Sequence, residues 1–477
     1  MRRILLLFWL FVAVVFPFSS PVQAGDAAEV QKLRGTIEEQ QKQLDAQQEQ
    51  LEAQEDRLQE LRQQVDRLAD GAAPTKTPVA QKSEATISGG AAPRRTDIHT
   101  RRRDKAHPHD EWKGSFAVEK LNTRFKIGGF AQLDVLHDTD AITSEAQFIT
   151  STILTRDATK VEGSDGQTNF SINPSRLYFE TRTPLKQGRL TILLSMDFFG
   201  DGLSTEPDPR LRQGYAELSN ILFGGDLLVG QAWTTFADLE AFPNVLDFQG
   251  PCSFFGGLRQ PMVRWTKPVA DGLKLMVAVE SPNNHIIQGA DSLTAWPDGV
   301  LSLGWHKPRV HLMGSFVARD LRASLNDGPT ESAFGWGVGV SGKVWTPFLA
   351  KRDFFTFSFA YGEGIGSGLN DQPPDAVLDS DGGGLETVPV FGWFASYEHW
   401  WSRQFYSTLV YGMLDVDNPG VQAPDSLNQT QYASANLVWA PTERWLFGGE
   451  GLWGRREDKD GMDGDVFRAQ FTGRFTF

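Results

Sequence analysis

The chain has 477 residues, a formal net charge of −14 and a single cysteine, Cys252. An acidic balance argues against nucleic acid as a partner, and one thiol excludes an intramolecular disulfide framework. Apart from Ile4 to Phe18, no apolar run is long enough for a spanning helix, so any other membrane crossing has to be made by strands.

Met1-Arg2-Arg3, the apolar run ILLLFWLFVAVVF and Val22-Gln23-Ala24 have the three parts of a secretory signal peptide, so residues 1–24 are expected to be removed by cleavage after Ala24. Loss of Arg2 and Arg3 leaves a charge of −16. From Val30 the apolar residues Val30, Ile37, Leu44, Leu51, Leu58 and Val65 repeat every seven positions. A second series, Leu33, Gln40, Gln47, Gln54, Leu61 and Leu68, follows three residues later. Residues 25–70 are therefore expected to form an α-helical coiled coil, with buried glutamines specifying an oligomer. A trimer is the first expectation and a dimer the second. Residues 71–111 lose the period, become rich in Pro, Ala, Gly and Ser, and gather Arg94, Arg95, Arg101, Arg102, Arg103 and Lys105. They read as a flexible basic linker. His107, His109 and Asp110 there lack the spacing of a metal site.

Residues 112–477 read as an all-β transmembrane barrel of 16 antiparallel strands. Strands are expected to start near 124, 170, 188, 210, 226, 258, 272, 299, 309, 332, 353, 387, 403, 430, 443 and 464. Seven short connections and eight long ones alternate between them, which is the tally of an even barrel with both ends of the chain on the short-turn side. Parity orients several strands. Leu190, Ile192, Leu194, Met196 and Phe198 oppose Arg189, Thr191, Ser195 and Asp197; Phe355, Phe357, Phe359 and Tyr361 oppose Thr356, Ser358 and Ala360. In the last strand Phe467, Ala469, Phe471, Gly473, Phe475 and Phe477 oppose Arg468, Gln470, Thr472, Arg474 and Thr476. Phenylalanine outside and charge inside suits lipid around a wet lumen. The strands near 210, 226 and 403 have apolar residues in both rows and resist orientation.

The candidate pore-lining residues are Arg176, Arg182, Arg189, Arg264 and Arg468 on inward rows, with Arg212 and Arg259 near the mouths. A guanidinium fork holds a carboxylate through two hydrogen bonds, so such a lining favours organic anions as solutes. Residues 238–257 are too apolar to stand in solvent and are expected to fold inward as a constriction loop, with Asp247 and Gln249 as lining candidates. The acidic stretch 362–387 could hold divalent cations against lipopolysaccharide. Asp458 to Gly461 is only half of a calcium loop. No nucleophile elbow, phosphate-cradling loop or zinc-protease motif is present, so no enzyme activity, cofactor or resident metal is expected.

RFKIGGFAQLD (124–134), NPSRL (173–177), GQAWTTF (230–236), LDFQGP (246–251) and RQPMVRWT (259–266) together resemble the DcaP-like trimeric porins. The resemblance extends to the plan of signal, coiled coil, linker and barrel. It implies a homotrimer in the bacterial outer membrane, among lipid and lipopolysaccharide, with its coiled coil in the periplasm, passing small organic anions such as dicarboxylates. Two other readings stay open: a non-selective general porin, and a structural tether linking the outer membrane to the cell wall through the coiled coil.

Overall fold

The computed structural model describes residues 112–477 except 157–164, 201, 257, 283, 325–329, 347–349 and 380–383. The expected signal peptide, coiled coil and basic linker lie outside the described residues. Among the described residues no helix is long and apolar enough to cross a membrane, and the wall is made by sixteen antiparallel strands. These are β1 Thr123–Asp138, β2 Arg176–Leu185, β3 Gly188–Asp197, β4 Arg210–Ile221, β5 Gly225–Trp233, β6 Arg259–Ala270, β7 Leu273–Glu280 and β8 Asp298–Lys307. They continue as β9 Val310–Ser324, β10 Thr330–Trp345, β11 Phe354–Glu363, β12 Pro389–Trp400, β13 Phe405–Val416, β14 Leu427–Trp439, β15 Trp445–Asp458 and β16 Asp463–Thr476. Each pairs with its neighbours in the chain, and β16 closes on β1 with Phe130 opposite Thr476 and Asp138 opposite Arg468. Closure leaves no sheet edge, so the wall's N–H and C=O groups are satisfied without water.

β-Bulges reset the side-chain parity, and two of them bear on the arginine-bearing wall. A short segment, Gln167–Ser171, pairs with the far half of β1 before β2 pairs with the near half. Ser171 lies opposite Asp134 and Arg176 opposite Phe130, so this strand holds one residue more than β1 across the gap. Pro174 sits in the gap and has no N–H to give the ladder. Ser175 fills in: its hydroxyl accepts the Gln132 N–H at 3.0 Å and donates to the Gln132 carbonyl at 3.2 Å. The second bulge lies where β3 meets β4, between Ser195 and Met196, and leaves Arg212 as the extra residue. One frame then cannot describe β4, which is why alternation alone does not orient it.

On the oriented strands the apolar row faces out and is exposed, as at Leu194, Val279, Leu303, Val340 and Phe471. Outward aromatics form a belt at the short-turn end, where Phe405, Trp439, Phe447, Trp445 and Phe475 follow one another at 4.8–6.1 Å between ring centres. Trp400, at the same level, turns inward instead and lies against Tyr406.

The barrel is not an empty tube. Three connections from the long-loop end, L1 (139–166), L3 (234–258) and L6 (364–388), fold into it. Their Ile142, Phe148, Phe236, Cys252, Phe255, Ile365 and Leu369 form one apolar core with inward residues of β7 to β16. That core explains the inward row of β13, whose Val410, Leu414 and Val416 belong to it. β5 is similar on a smaller scale: inward Leu228 and Ala232 cluster with Leu193, Tyr215 and Met262. Glycines make room where the loops touch the wall. A Cβ on Gly339 would come within 2.8 Å of Phe236, and one on Gly392 within 2.9 Å of Ser253. The β9–β10 pair stays in register out to Ser324 and Thr330.

A charge on the outward face should be costly where an inward one is not. Leu194→Arg is expected to lower folding stability in bilayers by about 2–4 kcal/mol, measured by urea unfolding in lipid vesicles, with Leu194→Ile near wild type.

Candidate functional site: the lumen

L3 is held to the wall by polar anchors at each end of its path. The Thr235 N–H donates to Glu280 at 2.7 Å, and the Ser302 hydroxyl donates to the Thr235 carbonyl at 2.8 Å. Asp238 accepts from His311 Nε2 at 2.9 Å and from the Ser341 hydroxyl at 2.7 Å. Farther along, the Glu450 carboxylate takes the N–H groups of Leu246 at 2.6 Å and Asp247 at 2.9 Å, while the Asn244 amide donates to Glu398. A carboxylate that accepts backbone N–H groups fixes a loop far more tightly than apolar contact does, because its partners have no other acceptor in the dry core.

Asp247 itself is 1 % exposed and accepts the N–H of Phe148 at 3.1 Å and of Gly250 at 2.7 Å, so it ties L1 to L3 and sits away from water. Gln249 donates to the Asn370 carbonyl at 2.9 Å, and Asn370 returns bonds to the carbonyls of Gln249 at 2.7 Å and Pro251 at 2.9 Å. The residue between them, Phe248, reaches the arginine-bearing wall. Its ring lies 4.2 Å from Phe199 and 5.3 Å from the Arg212 guanidinium carbon. Sequence reasoning selected the polar neighbours of Phe248 and passed over the ring, whose apolar character marked it as core.

L6 has its own anchor in Arg319 of β9, a residue the sequence reading did not single out. It is buried and donates to Asp298 at 3.1 Å, to Asp375 at 2.8 Å, to the Gly364 carbonyl at 2.8 Å and to the Ser367 hydroxyl at 3.1 Å. L1 meets L6 where the Thr150 hydroxyl donates to Asp371. Burial raises the Asp371 carboxyl above its ordinary range despite that bond, and likewise pushes the Cys252 thiol up, leaving it inert as a nucleophile.

The arginines divide by what they touch. Arg468 is fully buried and bidentate to Asp138 at 2.6 and 2.8 Å, with a third bond of 3.2 Å to the Ser144 carbonyl. Arg182 pairs with Glu180 at 3.0 Å under the ring of Trp112. Arg176 and Arg474 share the face of Phe130, and Arg474 also donates to Gln132 at 2.7 Å. Arg264 reaches the Trp233 carbonyl at 3.4 Å, and Arg189 is half-buried on β3.

The densest positive charge is near the long-loop mouth. Arg210 grips Asp197 with two bonds of 3.0 Å, Arg212 bonds the same carboxylate, and Arg259 stands 4.0 Å away. The rings of Trp233, Phe199 and Phe248 cover these guanidiniums. Three guanidiniums thus converge on one carboxylate beside the tip of L3. Arg210, 29 % exposed, keeps the most water of the three. The sequence reading missed it, although its two-residue spacing from Arg212 in RLRQ was the available signal.

The family model for the DcaP outer membrane protein matches residues 113–477. Among solved structures the chain is similar to the outer membrane channel DcaP of Acinetobacter baumannii, with 18 % identity and a TM-score of 0.67, covering 76 % of this chain and 100 % of that one. It is also similar to an anion-selective porin from Comamonas acidovorans, with 10 % identity and a TM-score of 0.51, covering 74 % of this chain and 100 % of that one. No curated protein matches.

Two outcomes follow from the anchors. Arg319→Ala leaves the buried Asp298 and Asp375 without their cation and should cost about 3–5 kcal/mol; protease cleavage within 364–388 should rise with it. The contribution of Asp371 to holding L1 on L6 is complete below the ordinary carboxylate range and is lost as pH rises through its elevated value. Amide exchange of residues 139–155 should therefore accelerate with pH beyond its intrinsic chemical trend, and Asp371→Asn should remove that excess.

Proposed function

The chain belongs to the DcaP outer membrane protein family, and from that premise we propose that it is a passive outer-membrane channel favouring small organic anions. Membership in a family of outer-membrane channel proteins sets enzymatic catalysis aside. The observation that supports anion preference is the Arg210, Arg212 and Arg259 cluster around Asp197. An entering carboxylate meets this cluster of guanidiniums next to the loop that narrows the lumen, then the half-buried Arg176, Arg189, Arg264 and Arg474 on β2, β3, β6 and β16. Guanidiniums stacked on aromatic rings are pre-oriented and weakly hydrated, so a solute exchanges one hydrogen-bonded partner for the next at low cost. No single arginine is indispensable, because conduction needs several weak sites. Carboxylates with a short apolar stem fit the Trp233, Phe199 and Phe248 surroundings best, and dicarboxylates can engage two guanidiniums together. Self-association as a trimer belongs to this reading and draws on the heptad stripe from Val30 to Leu68.

A non-selective porin is the second reading. The Arg182–Glu180 and Arg468–Asp138 pairs favour it, since each cancels a charge that would otherwise act on a solute.

Planar-bilayer reversal potentials under a salt gradient distinguish the two. A unit charge about 10 Å from an ion path in water acts with roughly 0.4 kcal/mol, or about twofold in local anion concentration. Because each charge acts oppositely on anion and cation, Arg210→Ala with Arg212→Ala is expected to shift the anion-to-cation permeability ratio by roughly sixteenfold toward cations, and Asp197→Asn to shift it the other way. Equal ratios in all three proteins would sink the anion reading.

A further inference from the structure

L3 descends to the short-turn end of the lumen, and there it brings Glu240 against two imidazoles from the β8–β9 hairpin. His306 and His311 are directly opposed across that hairpin. The Glu240 carboxylate lies 3.3 Å from His306 Nδ1 and 3.7 Å from His311 Nδ1, and all three donor atoms fall within 4.8 Å of one another. Donor atoms held at about 2.0–2.1 Å from a tetrahedral zinc ion are about 3.3 Å apart, so the trio needs little movement to close on such an ion.

A second, independent feature is the state of His311. The residue is 2 % exposed, and its Nε2–H donates to Asp238 at 2.9 Å. With Nε2 engaged by Asp238, Nδ1 is the nitrogen left over: it has no hydrogen-bond partner and lies 3.7 Å from the Glu240 carboxylate. A carboxylate behind the distal nitrogen of an imidazole is the arrangement that orients and strengthens metal-ligating histidines. An imidazole nitrogen and a carboxylate oxygen at that distance call for a cation between them, either a proton or a metal ion. Two nitrogens and a carboxylate oxygen converging on one point also match the donor set of a metal ion. With Lys274 on β7 as the opposing charge acting on His311, Asp238 and Glu240 still leave the surroundings net negative. His306 and Glu240 are open enough to admit an ion from the lumen, with side chains 51 % and 22 % exposed.

We propose that Glu240, His306 and His311 bind a zinc-class divalent cation, with water completing the coordination and Asp238 as the positioning residue behind His311. Two imidazoles and one carboxylate suit zinc, nickel or copper and discriminate against magnesium and calcium, which prefer all-oxygen sites. Bound metal cross-links L3 to the β8–β9 hairpin and so fixes the base of the loop that narrows the lumen. The site is independent of solute preference and stands whether the channel prefers anions or not.

The test uses the full-length, untagged protein in detergent, stripped with chelator, and titrated with zinc by calorimetry beside His306→Ala and Glu240→Gln. Both substituted side chains are partly exposed, and heat-modifiable gel migration checks that each barrel has closed. Wild type is expected to bind one more zinc equivalent per chain than either variant, or to bind it at least tenfold more tightly. Magnesium in large excess should not displace it. Zinc binding that is identical in all three proteins places the ion elsewhere in the chain and overturns the proposal, as does no binding by wild type or displacement by magnesium.

Discussion

Everything in this molecule follows from the absence of water in hydrocarbon. A backbone N–H or C=O with no partner costs several kcal/mol in such a medium, so strands can cross it only as a closed ladder. The β1–β16 pairing is therefore the contact on which the rest depends, because it turns a row of hairpins into a tube with an outside and an inside. Once closed, every residue of an unbulged strand is committed by parity to lipid or lumen. Bulges, among them those at Pro174 and at Arg212, are the places where that commitment is reset.

The inside is divided as well. From β7 to β16 the lumen is filled by L1, L3 and L6, and the inward apolar residues of those strands are core residues in the ordinary sense. Apolar filling alone would leave the loops free to slide, since dispersion has little directionality. Direction comes from a few buried polar groups. Glu450 holds two backbone N–H groups of L3, Asp247 joins L1 to L3, and Arg319 clamps L6 through two carboxylates. Such groups contribute modest net stability, but breaking one strands its partners in a dry interior, so they specify one arrangement of the loops over its neighbours.

The wall of β2, β3, β4, β6 and β16 carries Arg176, Arg189, Arg210, Arg212, Arg259, Arg264 and Arg474. A chain with a net charge of −14 can present a positive path because potential inside a narrow lumen depends on the nearest groups, while distant surface charge is screened within about 10 Å by salt. Arg468 and Arg182 are each spent on an adjacent acid, whereas Arg210, Arg212 and Arg259 gather around one carboxylate, Asp197. Position relative to acids thus matters more than the count of arginines.

Much of the architecture could be read from the chain alone. The two-residue period of Arg468 to Thr476 and the alternation of short and long connections are local properties of consecutive residues, and they yielded sixteen strands at nearly the positions seen. Motif likeness added the family. What remained hidden depends on residues far apart in the chain: that Asp247 is sealed against Phe148, that Arg468 is consumed by Asp138, that Arg210 joins Arg212 and Arg259 on Asp197, and that Glu240 meets two histidines. Alternation tells which side of the wall a residue faces. It cannot tell whether that side is filled, because filling is decided by loops that return across the barrel from tens or hundreds of residues away, and only the closed tertiary structure brings them there.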